Sequence, residues 1–437
     1  MVGAPERLPL PWAVPDIRER VLREADALRD EMTAFTSDLV RIPTVNPPGK
    51  AYEDCARFIG KRLAALGLEV EYHPAEGRPE HTPQHPRLNV IGARRGASGG
   101  PVVHLNGHLD VVPAGAGWTR DPFGGEVAEG RVWGRGTCDM KAGIAAAVYA
   151  VEALRRAGAT LAGSVEVSAT VDEESGGFAG VAWLAKHGRI ARGRVDYVII
   201  PEPLGVDRIC IGHRGVYWFE VETRGRIAHG SMPFLGVSAI DHMGAILEAM
   251  RTELQPELAR RRTAMPVVPA GSGRATLNVN AVSGGQFAET IQTPCVADRA
   301  HGIFDRRFLI EEGFERTRQE VVALLERVKA RVPGLDYELS DCMVVHPTQT
   351  PDGSPLVAAL QRTIPEVLRR PAQIVASPGT YDQKHVDRIG GVPHCVAYGP
   401  GVLELAHQPD EWVAIDDLVA STKVLALTAL DLTGGPA

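Results

Sequence analysis

The sequence predicts an α/β protein: a mixed, mostly parallel sheet sandwiched by helices, with an inserted ferredoxin-like α+β unit. Three observations carry this. Apolar strand-like stretches alternate with helix-like stretches up to His213, the pattern of a parallel sheet covered on both faces. Beyond His213 the order becomes strand, helix, strand, strand, helix, strand, which is that of a ferredoxin-like unit. Several apolar stretches of the first region also end in acids or a histidine.

Taken in order, Asp16 to about Val40 carries apolar residues near helical spacing. Pro43, Pro47 and Pro48 in "RIPTVNPPG" end that helix. A second helix covers Tyr52 to Leu66, followed by strands in "LEVEYH" and "RLNVIGARR". "PVVHLNGHLDVVP" is an apolar strand, and the Ala-rich stretch 141–158 is a helix. "GSVEVSATVDEE" and "VDYVIIPEP" are strands with acids at their C-terminal ends, and "GVAWLAKHG" is a helix. The inserted unit takes residues 213–344, leaving 1–212 and 345–437 for the first domain. "SPLVAALQRTIPEVLRR" is then helical, "PHCVAYGPG" returns to the first sheet, and Ile415 to Leu432 forms the last helix.

At 437 residues with 44% hydrophobic content the chain is long enough for two folded domains. A net charge of -7 gives no electrostatic footprint for nucleic acid. The N-terminal stretch lacks a basic start followed by an apolar run, and no run of about 18 apolar residues spans a membrane. Six cysteines are scattered without a C-x-x-C pair. Buried, reduced thiols and a cytoplasmic location are expected, with Cys138 singled out because it abuts Asp139.

Ligands of open parallel sheets bind outside the C-terminal strand ends. Five chain segments there carry metal-competent side chains. In "NGHLDVVP", His108 and Asp110 share one face of an extended chain, so His108 offers a ring nitrogen while Asp110 holds the other. A core histidine beside a turn aspartate gives the same pattern. Asp139 in "GRGTCDMKAG" precedes a helix, where an N-cap is the plainer role. "VDEESGG" places Asp172, Glu173 and Glu174 after an apolar strand, where unpaired carboxylates are costly. Glu202 sits between prolines in "PEP", as a ligand or in a surface loop. His407 lies in "AHQPDEW", where a lone histidine is often structural. Together they supply imidazoles and carboxylates suited to zinc, and a two-metal site bridged by one carboxylate requires such a set.

With these segments in view, the sequence resembles the zinc metallopeptidase family of acetylornithine deacetylase, succinyl-diaminopimelate desuccinylase, aminoacylase and carboxypeptidase G. The carrying motifs are "GHLDVVP", "GRGTCDMKAG", "VDEESGG", "PEP", "RIAHGSMP", "FDRRF", "GTYDQKH", "YGPG" and "AHQPDEW", in the family's order over about residues 40 to 413. The resemblance implies a zinc-exopeptidase-like catalytic domain with an inserted dimerisation or lid domain. It implies that Asp139 bridges two Zn2+ ions (Co2+ or Mn2+ also fit), with His108 and Glu202 completing one site and Glu174 and His407 the other. It implies Glu173 as general base toward a metal-bridging water, Asp110 as the residue orienting His108, and His229 as an oxyanion donor reaching the site of a partner subunit in a homodimer. Arg307 resembles a substrate carboxylate clamp, although a salt-bridged strand arginine is the alternative and Arg306 next door blurs the register. Gly399 and Gly401 of "YGPG" are matched to backbone donors for an anionic substrate end.

The activity implied is metal-dependent hydrolysis of the amide bond of a small N-acyl amino acid. A dipeptidase or glutamate-type carboxypeptidase is the alternative. An aminohydrolase on a non-peptide substrate and a non-catalytic metal-binding protein are more distant ones. Two departures from the family pattern bear on substrate alone. Glu289 stands about where relatives carry an Asn, and Tyr381 separates Thr380 from Asp382.

Overall fold

The computed structural model describes residues 16–97, 99–285 and 294–434. Glu289 lies outside them. The described residues divide into two compact units, one within 16–209, 351–373 and 385–434, the other within 210–350 and 374–384.

In the first unit the strand order is Glu69–Pro74, Leu88–Arg94, Ser164–Thr170, Val102–His108, Tyr197–Ile200 and Cys395–Ala397. The four central and distal strands run parallel, while the first two pair antiparallel. Val103, Leu105, Val165, Val167, Ile199 and Val396 are fully or almost fully buried, as strands covered on both faces require. The helix Ala142–Arg156 buries every residue before Arg155. Its alanines let it lie close to the sheet and to the C-terminal helix Ile415–Thr433.

Two expectations are corrected here. The helix expected over 16–40 is two helices, Ile17–Ala27 and Arg29–Val40, separated at Leu28, whose ψ of 0° leaves the helical range. The strand expected to run into "VDEE" stops at Thr170. Asp172 has φ +61°, and Glu173–Ser175 form a turn of 3-10 helix. The acids are therefore carried on a turn beyond the strand end.

In the second unit a four-stranded antiparallel sheet has the order Thr276–Gly284, Arg299–Phe308, Gly215–Arg224, Asp336–Val345. With the helices Ala239–Ala249 and Phe314–Arg331 after the first and third strands in sequence, this is the ferredoxin-like arrangement. Tyr217, Phe219 and Phe304 stack in its core.

All six cysteines are free thiols. Four are buried, but Cys295 is half-buried and Cys342 exposed, contrary to expectation. Cys342 lies on an edge strand at the register shift between Asp341 and Met343, where the strand turns its side chains outward. Among the described residues no helix is long and apolar enough to cross a membrane.

Candidate metal centre

Parallel pairing aligns His108 with Thr170, so the residues after both strands emerge at the same edge. Glu202 follows the neighbouring strand Tyr197–Ile200 in the same direction. Two further segments reach this edge from loops. The turn Thr137–Lys141 carries Asp139, and the loop before Trp412–Ala414 carries His407. Asp139 is not an N-cap: the helix starts at Ala142, with Lys141 at the capping position.

The five residues converge around Asp139. His108 Nε2 lies 2.9 Å from Asp139 Oδ1 and 3.9 Å from Glu202 Oε1. His407 Nε2 lies 3.3 Å from Asp139 Oδ2 and 3.1 Å from Glu174 Oε1. Each oxygen of one carboxylate thus faces a different imidazole. Atoms of His108, Asp139 and Glu174 that can ligate a metal all lie within 4.8 Å of one another.

Electrostatics follow from crowding several acids in a largely dry pocket. Burial alone would lower the His108 imidazole, but Asp139, Glu202 and Asp110 outweigh it and raise it well above 6.5. Hydrogen bonds to Asp139 and Glu174 push His407 up to about 10. Burial would raise the Asp139 carboxyl, but His108 and His407 hold it below the usual carboxylate range. Burial and the Asp139 charge push Glu174 up to about 7. Without cations the site retains protons to offset its own negative charge.

Asp110 acts differently from the sequence expectation. The Nδ1–H of His108 donates to the backbone carbonyl of Asp110 at 3.0 Å, while the carboxylate stands 3.6 Å away. That carboxylate faces three other N–H donors. It accepts the backbone N–H groups of Glu173 and Glu174 at 3.1 Å each and the Asn46 amide at 2.9 Å. The carbonyl fixes the tautomer that leaves Nε2 toward Asp139, and the carboxylate anchors the acidic turn. Beneath the turn, Asp172 accepts from Tyr52 at 3.0 Å and pairs with Arg87 at 3.0 Å. Gly176 and Gly177, at φ +109° and +75°, close the turn in a backbone region costly for other residues.

His229 and Arg307 belong to the second unit. His229 is exposed, and its Nδ1 accepts from the Ser231 backbone N–H at 3.1 Å. Both sides of the Arg307 fork bind Asp305, at 2.7 and 2.9 Å. Gly399 and Gly401 are in the first unit, packed tightly. A Cβ at Gly399 would stand 2.3 Å from the Pro201 carbonyl oxygen, and one at Gly401 would stand 2.9 Å from Cys138 Sγ. Cys138 itself is buried, its thiol pushed up by burial and bonded to the Trp412 carbonyl, which leaves no reactive thiolate.

Sequence reasoning missed Glu411, Arg135 and Asn46. Glu411 sits in "PDEW" and Arg135 in "GRG", both inside quoted motifs. Only the antiparallel pairing of Trp412 with Trp133 reveals that the two segments meet.

The model of peptidase family M20/M25/M40 matches residues 104–431. The chain is 30% identical over 400 residues to succinyl-diaminopimelate desuccinylase of Thioalkalivibrio sulfidiphilus, covering 89% of this chain and 96% of that protein. It is 33% identical over 370 residues to the desuccinylase of Leptothrix cholodnii, covering 82% and 88%. Human carnosine dipeptidase 1 shares the fold with a TM-score of 0.74 at 20% identity, over 96% of this chain and 100% of that one. The dipeptidase Dug1p of Saccharomyces cerevisiae has a TM-score of 0.74 at 16% identity, over 96% and 99%. The chain belongs to the peptidase family M20/M25/M40 and is a metal-dependent hydrolase.

Proposed function

We propose that the protein hydrolyses the amide bond of a small N-acyl amino acid at a centre of two zinc ions, in the manner of the desuccinylases it resembles. The observation that carries this is the placement of Asp139, whose Oδ1 and Oδ2 face His108 and His407 respectively. The donor set fits: imidazole nitrogens and carboxylate oxygens suit zinc, and a buried group of acids holding excess protons is one that divalent cations would neutralise. Asp139 would bridge, His108 and Glu202 would hold one ion, and Glu174 and His407 the other. Bound there, the ions would polarise the scissile carbonyl and acidify a water toward neutral pH.

The remaining work falls to the chain. Glu173 takes the proton of the attacking water and delivers it to the leaving amine. Asp110 supports this by fixing the backbone N–H of Glu173 and, through its own carbonyl, the ring of His108. His229, supplied by a second copy of the chain, donates to the oxyanion. The exposed Ile227, Met232, Phe234 and Leu235 around it support a homodimer through the second unit. Sedimentation showing a fully active monomer would remove this part. The bond to Asp305 favours the structural reading of Arg307, and close packing favours the same for Gly399 and Gly401.

The test is a panel of N-succinyl amino acids, N-acetyl amino acids and dipeptides given to zinc- or cobalt-loaded protein. Turnover of the N-acyl compounds above the dipeptides is expected. Turnover of dipeptides alone would replace deacylation with dipeptidase activity, and no amide turnover would refute the proposal.

A further inference from the structure

Glu411 is fully buried and lies at the back of the centre. Its Oε1 accepts three backbone N–H groups, from Gly136 at 3.1 Å, Cys138 at 2.7 Å and Asp139 at 3.1 Å. Its Oε2 takes Arg135 Nη1 at 2.5 Å. Arg135, 1% exposed, then donates to the carbonyls of His407 at 3.1 Å, Gln408 at 3.2 Å and Ala114 at 3.1 Å. One buried ion pair therefore ties the turn carrying Asp139 to the loop carrying His407.

The pair has a definable task at each end. The Asp139 turn is not regular helix at its centre: Asp139 and Met140 depart from helical φ/ψ. Its N–H groups would be unsatisfied in a buried setting without an acceptor, and Glu411 supplies one anion to three of them. At the other end His407 has φ +64°, a conformation that a non-glycine residue holds only when its surroundings impose it. Arg135 holds its carbonyl. The separation between Asp139 Oδ2 and His407 Nε2, 3.3 Å, is thus set by groups that touch neither side chain.

We infer that Arg135 and Glu411 are positioning residues that preorganise the ion position shared by Asp139, Glu174 and His407, with a smaller effect on the His108 and Glu202 position, which shares only Asp139 with the clip. This rests on the two-metal reading above. Glu411→Gln preserves shape but turns one oxygen of the carboxylate into an N–H donor. That donor must then face either Arg135 or the three backbone N–H groups, so one half of the clip is lost. Arg135→Lys keeps the charge but cannot hold three carbonyls in one fork.

The experiment is stepwise titration of the metal-free full chain with Co2+, following its absorption bands and the heat of binding. His407→Ala marks which of the two binding events belongs to that position. Glu166→Gln, which disturbs a buried carboxylate paired with the part-exposed Arg194 elsewhere in the unit, controls for loss of stability alone. In Glu411→Gln and Arg135→Lys the event lost in His407→Ala weakens by about 10–100-fold, the range for outer partners of metal ligands. The other event weakens less, because it shares only Asp139 with the clip, and the Glu166→Gln titration matches wild type. Wild-type affinities at both steps in both variants, or equal weakening of both steps, would overturn the inference. So would the same weakening in Glu166→Gln. A wild-type chain binding no Co2+ would instead refute the two-metal reading on which the inference stands.

Discussion

His407 illustrates how strongly single residues here depend on their neighbours. Its imidazole is half-exposed, yet Asp139 and Glu174 push its pKa up to about 10. Because the folded value lies above the ordinary value of about 6.5, this interaction stabilises the metal-free fold below pH 6.5 and is lost as pH rises through about 10. A histidine ligates only as the neutral ring. Metal binding at pH 7.5 therefore releases protons held by His407 and His108, and apparent affinity climbs as pH rises toward 10. Calorimetry in two buffers of different ionisation enthalpy checks this: the heat of metal binding should differ between them by at least one proton per chain. Identical heats would show that the imidazoles enter the complex already neutral. His108, Glu174 and Glu202 were readable in the sequence because each stands at or just past an apolar strand-like run, and Asp139 and His407 because they sit in segments punctuated by Gly or Pro. Their partners were not. Asp110 reads as a histidine partner from H-x-D spacing, but its carboxylate serves the N–H groups of Glu173 and Glu174, more than sixty positions on.

The turn Asp172–Gly177 shows what element boundaries hide. An apolar run followed by acids reads as one long strand, since alternation alone does not mark where pairing ends. Here the strand stops at Thr170, and the left-handed Asp172 sends the chain into a 3-10 turn. What holds that turn is a buried charge pair, with Asp172 at 3% and Arg87 at 7% side-chain exposure, together with the Tyr52 hydroxyl. Asp172→Ala leaves Arg87 buried without its anion, a loss of about 3–5 kcal/mol. Urea denaturation of the metal-loaded protein measures it. A change below about 1 kcal/mol, the value of an exposed pair, would mean that the pair is solvated. Helix positions were legible from apolar spacing and proline punctuation, as in Tyr52–Ala65 and Ala142–Arg156. The break at Leu28 was not, because no Gly or Pro marks it.

For the molecule as a whole, the order of elements was enough to anticipate a mostly parallel sheet and an inserted ferredoxin-like unit, because strand–helix alternation and its interruption near His213 are written in the sequence itself. The clip between Arg135 and Glu411 was not anticipated, since it depends on a three-stranded sheet that brings residues 131–133 against 412–414. The proposed hydrolysis rests on a single metal centre at the strand ends of the first unit, with Glu173 as its base. The direct measurement is turnover and metal content of Glu173→Gln side by side. A fall in kcat of about 10²–10⁴-fold with wild-type metal content is expected. Wild-type turnover in that variant would contradict it.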